Sequence, residues 1–358
     1  MKLLQEKLSK YTEPQRVKAA GVYPYFRAIS SEQDPEVIID GKKVLMFGSN
    51  CYTGLVNDPR IKEAAIEATR KYGTGCAGSP FLNGTLALHK QLEARIAEYI
   101  GKEDVMIYST GFEVNLGVVS TLTGREDYII WDEQDHASII EGRRLSFSQS
   151  LKYKHNDMES LEKQLRKCDP DKVKLIVTDG VFSMEGDVAD VKTITELAKK
   201  YNASVMVDEA HGIGVFGPGG RGVCHHYGVA DDVDLIMGTF SKSFASLGGF
   251  IATDKEITNF LRHHSRSYIF TASITPASTA AALKALEIME TEPERQQALW
   301  DVTHYALEGF RNMGCEIGNT STPIIPLFIR DNYKTFAVTH DLQEEGIFVN
   351  PVVSPAVA

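Results

Sequence analysis

The chain has 358 residues with 38 basic against 48 acidic side chains, a formal net charge of −10 and a pI near 5.5, a balance that suits a soluble protein and argues against nucleic-acid binding. This length accommodates one large domain with a smaller appendage. Its five cysteines, Cys51, Cys76, Cys168, Cys224 and Cys315, are odd in number, scattered and form no Cys-x-x-Cys pair, which argues against a disulfide framework or structural zinc and for a reducing cytoplasm.

The opening MKLLQEKLSKYTEPQRVKAAG interleaves leucines with charges and lacks the apolar core of a signal peptide, and no apolar run reaches membrane-spanning length. Residues 60–72 and 87–100 read as amphipathic helices flanking a glycine-dense loop, GTGCAGSPFLNGT. From about 100 to 255 short apolar runs alternate with polar, helix-like stretches, the pattern of a mostly parallel sheet covered on both faces. The expected strands are 105–108, 128–131, 175–178, 204–207, 235–237 and 250–253, and 191–200 reads as one of the helices between them. A long alanine-rich helix over 277–290 follows Pro276; TEPER then starts another helix, and IIPLFI and GIFVNPVV read as strands. The fold class is α/β: a large domain with a mostly parallel central sheet sandwiched by helices, plus a smaller C-terminal α+β lobe. The expected divisions are 1–55 (arm and small-lobe segment), 56–290 (large domain) and 291–358 (small domain).

GIGVFG, Gly212 to Gly217, satisfies G-x-G-x-x-G and is followed some 20 residues on by DDVD, the spacing of a dinucleotide fingerprint. That motif must open a helix, and PGGRG cannot start one, so the loop serves another purpose. The chemistry sits elsewhere. Asp208 and His211 in VMVDEAHGIG and Lys242 in GTFSK all follow strands, and in a parallel sheet such strand ends share the edge where ligands bind. An amine for an imine, a carboxylate for a ring-nitrogen proton and backbone for a phosphate together suit pyridoxal 5′-phosphate. Thr239 and Ser241 flank Lys242 as phosphate-holding hydroxyls, and STGFEVNLG offers the N–H groups of Gly111 and Phe112 at a helix start. His136 in WDEQDHASI is placed to stack on an aromatic cofactor, and Ser183 in DGVFSMEGD to reach its ring oxygen; taken singly, each of these also reads as a cap or turn residue.

Together STGFEVN, DEQDHASI, DGVFSMEGD, VDEAHGIGVFGPGGRG and TFSKSFASLGG resemble the α-oxoamine synthase family of fold-type-I pyridoxal-phosphate enzymes, over nearly the whole chain. The resemblance implies an acyltransferase that joins an amino acid to an acyl-CoA with loss of carbon dioxide, working as a homodimer. PYFRAISSEQDPEVIIDGKKVLMFGSNCYTGL and GTGCAGSPFLNGTLALHKQLE are most like members that use L-serine and palmitoyl-CoA; members that use glycine or alanine, and a non-catalytic partner subunit, are the alternatives. By the same resemblance Lys242 is the Schiff-base lysine, Asp208 meets the ring nitrogen, His211 the ring hydroxyl, and His136 stacks on the ring and orients the serine carboxylate. Gly111, Phe112 and Thr239 bind cofactor in their own subunit, and Thr271 in YIFTASITP reaches the phosphate of the neighbouring one. Asn50 and Arg27 belong to the substrate and CoA entrance. Family members often carry arginine where this chain has Pro80, and they continue beyond NPVVSPAVA into a segment with a carboxylate-binding arginine, so a truncated sequence is expected here. An acyl-CoA user meets lipid, and peripheral contact with the inner membrane is an open expectation, without a polybasic anchor to support it.

Overall fold

The computed structural model describes residues 2–354, so the final PAVA of NPVVSPAVA lies outside the described residues. The chain forms two compact units, one of residues up to Ser49 with those from Leu327 onward, the other running from Asn50 to Pro326.

In the smaller unit, β1 (Glu36–Ile39) and β2 (Lys42–Met46) form an antiparallel hairpin. Asp40 and Gly41 join them with φ of 51° and 76°, the paired positive values that a two-residue hairpin turn requires and that Asp-Gly supplies. Val37, Ile39 and Val44 are buried together.

The larger unit holds seven strands: β3 (Asp104–Tyr108), β4 (Tyr128–Asp132), β5 (Gln149–Tyr153), β6 (Lys174–Asp179), β7 (Ser204–Asp208), β8 (Leu235–Thr239) and β9 (Gly249–Thr253). Their order is β3-β9-β8-β7-β6-β4-β5, and β9 alone runs against its neighbours. Alternate residues pack on opposite faces: Val105 and Ile107 join one core cluster, Met106 and Tyr108 the other. That two-sided burial is why the strands read as unbroken apolar runs.

Three expectations change. QSLKY, β5, is an edge strand with three of its five residues exposed, so its sequence carries no apolar run. IIPLFI joins no ladder, since Pro326 has no N–H to give one, and of GIFVNPVV only β10 (Ile347–Phe348) pairs, parallel to β2. The helix Glu294–Asn312 lies within the larger unit, so the observed boundaries fall at 49/50 and 326/327 where the sequence reading set them at 55/56 and 290/291. Trp300 Nε1 and Gln296 Nε2 each donate to the Val215 carbonyl at 2.8 Å, fastening that helix to the loop after β7.

The GIGVFGPGGRG loop surrounds Glu209, a fully buried carboxylate that accepts from the N–H groups of Val223 (2.9 Å) and Cys224 (2.7 Å). A Cβ on Gly222, at φ 107°, would lie 2.6 Å from Glu209 Cδ. The loop's glycines make room for this internal cap, which is what the fingerprint-like spacing serves.

Candidate active site

β3, β4, β6, β7 and β8 point the same way, and their C-terminal ends deliver the chemistry to one edge of the sheet. Asp208 ends β7 with 3% of its surface exposed. Its Oδ2 accepts from Asn115 Nδ2 at 2.7 Å and its Oδ1 from the Ala210 N–H at 2.9 Å. Both donors are neutral, and no cation lies within ion-pair distance of Asp208 among the described residues. A buried carboxylate held only by neutral donors fits a cationic partner.

Lys242 follows β8 in a turn closed by the Ala245 N–H on the Lys242 carbonyl, and its amine has no hydrogen-bond partner among the described residues. Burial pulls its pKa down, opposed by the negative charges of Asp208 and Asp179. Such an amine supplies its neutral, nucleophilic form more readily than a surface lysine does. Thr239 Oγ1 lies 2.9 Å from Ser241 Oγ and donates to the Gly248 carbonyl at 3.1 Å. Beside this hydroxyl pair begins the helix Gly111–Leu122, capped by Thr110, whose Oγ1 accepts from the Glu113 N–H. The N–H groups of Gly111 and Phe112 have no partner among the described residues, so a helix N-terminus and two hydroxyls form an anion cradle. Gly111 is required there: a Cβ would sit 2.7 Å from Thr239 Oγ1.

His136 is the N-cap of the helix Ala137–Leu145; its Nδ1 takes the Ser138 N–H at 3.3 Å, and its own N–H donates to Asp179 Oδ2 at 2.7 Å. The Phe112 ring meets it edge-on, centroids 6.5 Å apart. Burial lowers the His136 pKa, with Asp208 opposing and Lys242 reinforcing the shift. His211 lies beyond β7, its Nδ1 2.7 Å from the Tyr52 hydroxyl. Burial, then Lys242 and His136, hold its pKa well below the ordinary histidine value, while burial raises that of the Tyr52 phenol. Asp179, ending β6 next to Asp208 in register, is pushed well up by burial and by the Asp208 charge.

The structure thus brings Lys242, Asp208, His136 and His211 into one electrostatic neighbourhood, with Gly111, Phe112, Thr239 and Ser241 at the strand ends around it. Ser183 lies in the turn closed by the Val181–Val188 bridge, and Thr271 is partly buried just before the helix Pro276–Thr291; neither side chain hydrogen-bonds to that group. Asn50 is exposed, its carbonyl taking the Tyr52 N–H at 2.9 Å. Arg27 belongs to the smaller unit, where its guanidinium faces Asp40 at 3.4 Å. Sequence reasoning missed Tyr52, Asn115, Ser138 and Asp179. Asn115 alone left a signal, an amide set in the apolar stretch of STGFEVNLGVV.

Residues 42–358 match the family described as aminotransferase class I and II. The chain is 64% identical, over its whole length and 91% of the relative's, to a serine palmitoyltransferase of Bacteroides thetaiotaomicron. It is 44% identical over 347 residues to an 8-amino-7-oxononanoate synthase of Petrotoga mobilis, covering 96% of this chain and 88% of that one. A solved serine palmitoyltransferase from S. paucimobilis with a bound PLP–myriocin aldimine superposes with a TM-score of 0.96 at 34% identity, covering 100% of this chain and 91% of that one.

Proposed function

The chain belongs to the aminotransferase class I and II family, and from that premise we propose that it is a pyridoxal-phosphate-dependent acyltransferase joining L-serine to palmitoyl-CoA, with loss of carbon dioxide, to give 3-ketosphinganine, the serine palmitoyltransferase reaction of sphingolipid synthesis. The observation that carries this reading is the pairing of a buried carboxylate, Asp208, with a buried amine, Lys242, that has no hydrogen-bond partner among the described residues and whose charge Asp208 and Asp179 favour. The residues present fit the cofactor. Asp208 matches a protonated ring nitrogen, His211 a ring hydroxyl, Lys242 an aldehyde, and the cradle of Gly111, Phe112, Thr239 and Ser241 a phosphate. The bound cofactor supplies an electron sink for the amino-acid α-carbon.

Lys242 Nζ would hold the cofactor through its aldehyde and would take the α-proton of serine, a task its burial-lowered basicity suits. Asp208 would keep a ring-nitrogen proton in place, His136 would lie against the ring and orient the serine carboxylate, and Ser183 would serve the ring oxygen. Thr271 serves the phosphate of the neighbouring subunit in a homodimer, and Arg27 and Asn50 attend the substrate entrance. We place the protein in the cytoplasm, with peripheral contact to the inner membrane where acyl-CoA is met; no helix of the described residues is long and apolar enough to cross a membrane.

A spectral titration with L-serine, glycine and L-alanine, followed by mass analysis of the product from palmitoyl-CoA, tests the reading. Serine is expected to perturb the cofactor spectrum and yield 3-ketosphinganine. A spectrum and product obtained with glycine or L-alanine, and none with L-serine, would overturn the serine assignment and transfer it to another α-oxoamine synthase reaction.

A further inference from the structure

Two groups of the site, Asp208 and His136, are joined by a hydrogen-bonded chain that the reaction scheme above does not use. Asn115 Nδ2 lies 2.7 Å from Asp208 Oδ2 and 2.8 Å from Ser138 Oγ, and Ser138 Oγ lies 2.7 Å from His136 Nδ1. Asn115 and Ser138 are both buried, with 0% and 1% of their surfaces exposed, so water does not compete for these bonds.

Chemistry fixes the direction of each link. Asn115 Nδ2 donates to Asp208 Oδ2, so one Asn115 N–H points there. The other N–H goes to Ser138 Oγ, which leaves the serine its single proton to donate onward to His136 Nδ1. The Ser138 backbone N–H approaches the same nitrogen at 3.3 Å. A nitrogen that receives two donors carries no proton, so the neutral ring bears its hydrogen on Nε2. Burial keeps that ring neutral.

Packing alone does not account for Asn115. Its Oδ1 is buried without a partner among the described residues, a loss that leucine at this position would avoid. What its amide supplies is a pair of N–H donors that face Asp208 and Ser138 together.

We infer that Asn115 and Ser138 are positioning residues that fix His136 as the Nε2–H tautomer, making its free nitrogen a permanent donor toward the amino-acid carboxylate. The carboxylate part rests on the function proposed above; the tautomer part does not.

The test uses holoenzyme labelled with 15N-histidine, the His136 signals being identified by their loss in His136→Gln. Wild type is expected to show a protonated Nε2 and a bare Nδ1. Ser138→Ala, which leaves only the longer backbone N–H bond on Nδ1, is expected to shift the tautomer balance toward Nδ1–H, Asn115→Leu to shift the same signals without touching His136, and Ser138→Thr to restore the wild-type signals. In Ser138→Ala the KM for L-serine should rise about tenfold with kcat changed less, the size of one hydrogen bond to a charged group. A protonated Nδ1 in wild type, or a tautomer unmoved by both Ser138→Ala and Asn115→Leu, overturns the relay. A moved tautomer with an unmoved KM overturns the carboxylate assignment and leaves the relay standing.

Discussion

Lys242 is held where burial disfavours its charge, a position costly to stability and profitable to chemistry. Lys242→Met removes the amine and keeps the apolar stem. Turnover should fall by at least about 10²- to 10⁴-fold, the range lost with a positioned proton-transfer group. The melting temperature without cofactor should hold steady or rise, because a buried amine without a hydrogen bond has been replaced by a thioether. Paired steady-state and thermal-melting measurements check both; a variant that kept full activity would remove Lys242 from the mechanism. Lys242 itself was legible in the sequence, since a lysine among serines and glycines just after an apolar strand has few structural excuses. Tyr52, Ser138 and Asp179 were not, because a tyrosine, a serine and an aspartate near turns look the same whether they hold a histidine or face water.

At the scale of elements, the turns after β4 and β6 are pinned by one imidazole. His155 Nδ1 lies 3.0 Å from Asp132, the last residue of β4, and its Nε2 lies 2.9 Å from Asp187 in the turn after β6. Burial lowers the His155 pKa, but hydrogen bonds and charge from Asp132 and Asp187 outweigh it and carry the value up to about 10. A raised folded value above an unfolded one near 6.5 gives a stabilisation complete below about pH 6.5 and lost as pH climbs through about 10. Wild type should therefore lose on the order of 2 kcal/mol more than His155→Gln across that window, discounted for the ring's partial exposure. Urea midpoints at a series of pH values read the difference, and parallel curves for the two proteins would exclude the pin. The helix start at Gly111 carries a second test. Gly111→Ala puts a methyl 2.7 Å from Thr239 Oγ1 and displaces the hydroxyl, so cofactor affinity should fall at least about tenfold while stability drops by about 1–3 kcal/mol. Absorbance titration with pyridoxal 5′-phosphate and thermal melting separate the two effects. Strands buried on both faces announced themselves as apolar runs. The edge strand β5 did not, and apolar IIPLFI misled because apolarity outvoted the missing N–H of Pro326.

At the scale of the whole molecule, a change of pattern along a sequence is a poor guide to where a compact unit ends. The helix Glu294–Asn312 follows a change of pattern that reads as a new domain, whereas Trp300 and Gln296 tie it by hydrogen bonds to the loop after β7. A pairing between residues some 80 positions apart leaves no local trace in a single sequence. The assignment of Thr271 to a neighbouring subunit's site depends on assembly in the same way, and mixing variants decides it. Lys242→Ala lacks the amine, and Thr271→Ala should lose about ten- to a hundredfold in cofactor affinity, the worth of one bond to a charged phosphate. Each homodimer would be nearly inactive at limiting cofactor. In a mixed dimer, a Lys242 from the Thr271→Ala subunit meets a Thr271 from the Lys242→Ala subunit, so one of the two sites is complete. Random exchange makes about half of the dimers mixed, and activity should recover to about a quarter of wild type. If Thr271 instead served the site of its own subunit, no combination would assemble an intact site, and refolding the two variants together would restore nothing beyond the sum of the separate proteins.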